Sequence, residues 1–310
     1  MDSSTAVRTI VPILILVGFG YLARKIGVLK SGDERVLNAY VYYFALPALF
    51  LVDLSETKFT GESLIFVLTG IAPVLVVSAA YFLLHLIFRF SKDTLYLLTF
   101  TTIFGSLAFF GIPFIVFAFP EAESLATLSA ASISIVSVPI SITVLEFYRI
   151  DGLRPTDRLK QLGKRLSKNP LILSILIGSL MSIAGVGVPA PLSDSLHMLG
   201  ITTAPVAIFL LGVFLYGRTY TNVGRAFQLS LLRIILLPTL ALIFTAILNL
   251  HGLEKTVVVL MHATPIAIST IVLSERYDFH KETIASLLLI SSVGAAIYLN
   301  LWLLALGQLA

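Results

Sequence analysis

Two stretches of the chain set helix-breaking prolines beside hydroxyl side chains in otherwise apolar surroundings. The first carries Thr101, Thr102, Ser106, Gly111 and Pro113, and the second, "MHATPIAIST", carries His262, Thr264, Pro265 and Ser269. Proline removes a backbone donor and clashes with the preceding turn. A helix broken at Gly111–Pro113 or at Pro265 would therefore free N–H and C=O groups that apolar surroundings cannot satisfy. At membrane depth such backbone is tolerated only where protein or a watery cavity covers it. The freed N-terminal end of a helix offers N–H groups and partial positive charge, which suits an anion. Ser106, Thr101, Thr102, Thr264 and Ser269 would add hydroxyl donors, although such groups also bond readily to the preceding turn of their own helix. His262 has two readings, an anion contact or proton carrier and a lone membrane histidine without chemistry.

The elements that must position these residues are membrane spans. Of 310 residues, 57% are apolar and 12% charged, against about 25% charged in a soluble domain. The mean hydropathy is +0.98. Apolar runs recur along the whole chain without the alternation of barrel strands. Read at roughly 20 residues per crossing, they predict ten spans at 6–28, 37–54, 62–88, 94–118, 124–148, 170–190, 199–217, 226–249, 255–275 and 282–306. Lys and Arg crowd the loops after odd-numbered spans, with Arg24, Lys25, Lys30 and Arg35 after the first and Arg149, Arg154, Arg158, Lys160, Lys164, Arg165 and Lys168 after the fifth. The positive-inside rule then puts the loop 149–169 in the cytoplasm and both termini outside, in a multi-pass protein of the cell membrane. The net charge of +4 is explained by this topology and calls for no nucleic-acid partner.

The run of five spans, basic loop and five spans divides the chain into 1–148, 149–169 and 170–310. An odd-numbered unit repeated in sequence must be inverted in the membrane. Pro47 with Pro205, and Pro113 with Pro265, fall at comparable places in the two halves. The fold expected is all-α and polytopic, with two inverted five-helix repeats and discontinuous helices 4 and 9 that cross. Such repeats with broken helices are characteristic of secondary transporters. Further pocket-lining candidates are Tyr43, Pro47, Ser141, Pro205 and Arg233. For Arg233 two readings stand, snorkelling from a helix end and facing an anion; for Tyr43, interface anchoring and lining an apolar pocket. The chain has no cysteine and its five histidines form no ligand cluster, so neither metal nor other cofactor is expected. No HExxH or GxSxG motif is present, and no enzymatic role is expected.

Three segments carry a family resemblance. "LNAYVYYFALPALFLVDLS" at 37–55, "GSLAFFGIPFIVFAF" at 105–119 and "MHATPIAISTIVLSERYDF" at 261–279 resemble the second-, fourth- and ninth-helix motifs of the auxin efflux carrier family of membrane transporters. The resemblance covers nearly the whole chain, and the compact loop resembles that of prokaryotic members. It implies ten helices of the bile-acid symporter and sodium/proton antiporter type, crossing at their prolines. It also implies export or uptake of small carboxylates, auxin-like or dicarboxylate, by alternating access. The chain departs from the motif at Ser106, where the family usually has Asn, at Ala108, where it usually has Gly, and near Ser269, where Asn is common. Serine offers one hydroxyl where asparagine offers both a carbonyl and an NH₂. The alternative function is a channel or a transporter-like sensor that binds an apolar or uncharged ligand. The partners expected are a small organic anion and the lipid bilayer, with a proton or sodium ion for coupling and a homodimer left open.

Overall fold

The computed structural model describes residues 3–57, 61–149, 160, 163–164, 166–217 and 220–308; most of the basic loop 149–169 lies outside the described residues. The described chain is helical almost throughout. Its helices are α1 (Ser3–Lys25), α2 (Asp33–Glu56), α3 (Gly61–Phe88), α4 (Lys92–Ile103), α5 (Leu107–Ala118), α6 (Glu123–Arg149), α7 (Pro170–Ile183), α8 (Ala190–Leu215), α9 (Val223–Ile247), α10 (Gly252–His262), α11 (Ser269–Tyr277) and α12 (Lys281–Gln308).

The ten-span, two-repeat expectation is corrected here. Among the described residues, six helices are long and apolar enough to cross a membrane: 33–56, 63–88, 120–148, 190–215, 223–247 and 281–307. The apolar run 94–118 is divided into α4 and α5, and the run 255–275 into α10 and α11. The run 170–190 yields only the 14-residue α7. Among the described residues no inverted five-plus-five repeat is explicit. Hydropathy averages over a window, so it reads straight across a gap of a few apolar residues and reports one span where the backbone makes two short helices.

Close approaches between helices explain several glycines. α1 packs against α8 at Gly20 and Gly212. A Cβ on Gly20 would lie 1.9 Å from Phe209 O, and one on Gly212 would lie 1.9 Å from Val17 O. The two backbones meet because neither residue has a side chain, the usual device where lipid supplies no hydrophobic drive between helices.

Three helices widen by one π turn: Val41–Ala45 in α2, Leu107–Gly111 in α5 and Leu232–Leu236 in α9. Each turn ends two residues before a proline, Pro47, Pro113 or Pro238. The cause is local. Proline cannot donate to the carbonyl four residues back, and its ring pushes that carbonyl away. The chain closes a wider ring instead, with Leu46 N–H donating to Val41 O and Ile112 N–H to Leu107 O. In α9 the carbonyl four residues before Pro238 is that of Ile234, and it accepts a 2.9 Å bond from the Trp302 indole.

Candidate functional site

The two interruptions meet. α4 ends at Ile103 and α5 begins at Leu107; α10 ends at His262 and α11 begins at Ser269. Between them, Gly105 and Ile266 form an antiparallel bridge. Ser106 N–H donates to Pro265 O at 2.8 Å, and Ala267 N–H donates to Phe104 O at 3.0 Å. Each gap thus satisfies part of the backbone of the other. Pro265 lies within its gap. Pro113 does not: it lies inside α5, just after the π turn Leu107–Gly111 that accommodates its missing N–H, and the helix runs on through it. The first interruption falls at Phe104–Ser106 instead. Gly111 lies against α10, where a Cβ would meet Met261 Sδ at 2.7 Å and Thr264 Cγ2 at 2.8 Å.

Four helix ends converge here, two of each polarity. The C-terminal ends of α4 and α10 are held by Arg233, which is 2% exposed. Its Nε donates to Thr264 O at 2.7 Å, Nη1 to Thr102 O at 2.5 Å and Nη2 to Thr264 Oγ1 at 2.9 Å. A Cβ on Gly105 would stand 1.6 Å from Nη2, so the guanidinium fills the space that a side chain there would take.

The N-terminal ends of α5 and α11 face a cavity of about 770 Å³, within the usual size range of small-molecule sites. Its floor is the stretch Phe104–Phe109 with Ala267, Ser269 and Leu273; its walls include Asn38, Tyr42, Tyr43, Phe50, Ser134, Asn169 and Phe214; Ser31, Glu34 and Arg35 also line it. The first bonds within α5 run from Phe110 N–H and Gly111 N–H to Ser106 O, so the N–H groups of Leu107, Ala108 and Phe109 precede them. Among the described residues the Ser106 hydroxyl is buried without a hydrogen-bond partner, as is Asn38 Oδ1. Two helix N-termini carry about half a positive charge each.

The predicted site residues separate into groups. Ser106, Ser269 and Tyr43 line the cavity. Arg233, Thr102, Thr264 and Pro265 build the crossing behind it, by the bonds described above. The hydroxyls of helix α4 are engaged elsewhere: Thr101 donates to Leu97 O of its own helix at 2.7 Å, and Thr102 Oγ1 pairs with Tyr81 OH of α3 at 3.1 Å. His262 is 1% exposed and its Nε2–H donates to Gly70 O at 2.9 Å, away from the cavity. Pro113 lines a smaller pocket of about 180 Å³ with Glu123, on which Ala108 also borders. Pro47, Ser141 and Pro205 line neither. Sequence reasoning did not single out Gly105 or the polar wall residues Asn38, Ser134 and Asn169. Only the Gly-Ser pair after an apolar run hinted at the first. The second come from helices remote in the chain. Asn169 also caps α7, its Oδ1 accepting from Leu171 N–H at 3.0 Å.

Among the described residues no group of His, Cys, Asp and Glu is arranged to hold a metal ion. The sequence matches the model of a family described as membrane transport protein over residues 5–151 and 154–303. It is 26% identical over 298 residues to an uncharacterized transporter of Methanocaldococcus jannaschii, covering 94% of this chain and 95% of that one. It is 24% identical over 303 residues to the uncharacterized transporter YfdV of Escherichia coli, covering 95% of each. A putative malonate transporter of Rhizobium meliloti is 25% identical over 299 residues, 92% of this chain and 90% of its own. A family match over nearly the whole chain, on a polytopic helical scaffold whose two helix interruptions meet beside a cavity, makes this a membrane transporter rather than an enzyme: the chain belongs to the membrane transport protein family.

Proposed function

We propose that the protein is a secondary transporter that carries a small organic anion, a carboxylate, across the membrane by alternating access. The observation that carries this reading is the pair of helix N-termini, α5 and α11, opening on one cavity beside the unpartnered hydroxyl of Ser106. Backbone N–H groups and two positive helix ends form a place for a carboxylate that needs no charged side chain at the floor. The cavity walls are largely apolar and aromatic, which suits a compact organic acid better than a hydrated inorganic ion. A relative named as a putative malonate transporter supports the same substrate class. The Lys- and Arg-rich segments around 24–35 and 149–169 support, by the positive-inside rule, termini that lie outside.

The test is binding and counterflow. Purified protein is titrated calorimetrically with malonate, other mono- and dicarboxylates, amines and sugars. Proteoliposomes preloaded with the tightest binder should then accelerate uptake of the labelled acid. Binding of amines or sugars without any carboxylate would remove the anion reading. Flux that never saturates would favour a channel over a transporter.

A further inference from the structure

Arg233 is a cation in an unusual setting. It is 2% exposed, and among the described residues none of its partners is a carboxylate. Isolated buried charges are costly unless compensated. The compensation here is the backbone. The C-terminal ends of α4 and α10 each carry about half a negative charge, and the three contacts reach Thr102 O, Thr264 O and Thr264 Oγ1 beside those ends. Two such ends together balance one guanidinium. In transporters with interrupted helices, unwound carbonyls and C-terminal helix ends are the groups that coordinate a coupling sodium ion or proton.

We propose that Arg233 is a tethered substitute for a coupling metal cation: it occupies the oxygen cage between the two C-terminal helix ends, so anion binding at the opposite, N-terminal ends proceeds without sodium. The inference rests on the reading of the cavity as an anion site. Three further features agree with it. The guanidinium is planar and directional, and its Nε and Nη2 both reach Thr264 while Nη1 reaches Thr102, so one residue ties both interrupted helices together. Gly105 leaves the space that this fork needs and that a Cβ would take. The side chain also departs from a π turn, Leu232–Leu236, which sets its direction differently from that of a regular helix. The negative ends are thereby neutralised permanently, while the positive ends stay free for the substrate.

The experiment compares the wild type and Arg233→Ala in sodium chloride and in choline chloride. Malonate affinity of the wild type should differ by less than about twofold between the two salts, whereas Arg233→Ala should lose about tenfold or more in choline. Low millimolar guanidinium should restore part of that affinity, and it should raise the thermal midpoint of the variant but not of the wild type, with no anion present. A strict sodium requirement in the wild type overturns the proposal, and this readout holds even if the variant does not fold. A folded variant that guanidinium neither stabilises nor rescues overturns it as well. If no carboxylate binds the wild type while guanidinium still stabilises the variant, the anion reading fails and the tethered-cation assignment stands.

Discussion

Replacing Gly105 with alanine should break the crossing from within. The added Cβ would lie 1.6 Å from Arg233 Nη2, 2.4 Å from Cζ and 2.9 Å from Thr264 Oγ1, where real Cβ atoms keep at least 3.0 Å. Arginine is flexible in general, but here three bonds of 2.5 to 2.9 Å pin its head. Retreat by more than an ångström takes a bond of that length outside hydrogen-bonding range. The Nη2 bond to Thr264 Oγ1 and the Nη1 bond to Thr102 O should both be lost. A hydrogen bond to a charged group is worth about 1.5–3 kcal/mol, so the loss is about 3–6 kcal/mol before relaxation. That is large against a total stability of about 5–15 kcal/mol. The assay is the thermal midpoint of purified protein together with malonate affinity by calorimetry. Gly18→Ala in α1 is the control, because its Cβ would meet nothing within 4 Å; it should be neutral. In the double variant Gly105→Ala/Arg233→Ala the severe clash with the guanidinium is gone and only the 2.9 Å approach to Thr264 Oγ1 remains, so the two losses should combine to much less than their sum. A Gly105→Ala protein with wild-type midpoint and wild-type affinity would refute the argument that Arg233 holds the crossing.

Other expectations follow from the same geometry. Ser106→Ala removes a hydroxyl that has no protein partner; anion affinity should fall about tenfold, the worth of one lost hydrogen bond to a charged ligand, with the thermal midpoint unchanged, as read by calorimetry and thermal scanning. Gly212→Ala places a Cβ 1.9 Å from Val17 O and should force α1 and α8 apart, so the monodisperse yield in size-exclusion chromatography should drop sharply. Cysteines introduced at Lys30 and at Ser195, both exposed positions in a chain without cysteine, should be labelled by an impermeant maleimide from opposite faces of the membrane; labelling of both from one face would refute the topology.

The membrane character and the transporter family were legible in the sequence, because apolar composition and motif order are properties of the chain itself. The interruptions were only half legible. Pro265 marks its gap, yet the first gap lies at Phe104–Ser106, and what opens it is an arginine more than a hundred residues away lying where a Gly105 side chain would be. Pro113 stands beside Pro265 as a candidate breaker in the sequence, but the π turn ahead of it lets α5 continue through it. Of the two readings of Arg233, snorkelling and an anion-facing place, the structure follows neither, since the head group is buried against carbonyls. Of the hydroxyls at Thr101–Thr102, the first bonds back to its own helix, as serine and threonine in helices commonly do, and the second pairs with Tyr81 of α3. The cavity was hidden because its wall is assembled from Asn38, Ser134, Asn169 and Phe214, which adjoin one another only after the helices pack.

The π turns before Pro47, Pro113 and Pro238 have a consequence for how this chain tolerates insertions and deletions. Each turn accommodates one residue beyond the α-helical count, so it acts as a phase shifter of about 100° between the side chains before it and those after it. In α2, Asn38 and Ala39 lie ahead of the Val41–Ala45 turn and Leu46 and Phe50 behind it, and all four line the same cavity. A one-residue deletion in that turn would leave a regular, well-bonded apolar helix. It would nevertheless carry the cavity-facing residues of one half around to lipid. The same deletion in α9 would swing Arg233 relative to the helix beyond Pro238. Deleting one residue within these turns should therefore disturb the cavity and the Arg233 contacts more than deleting one in a connecting loop.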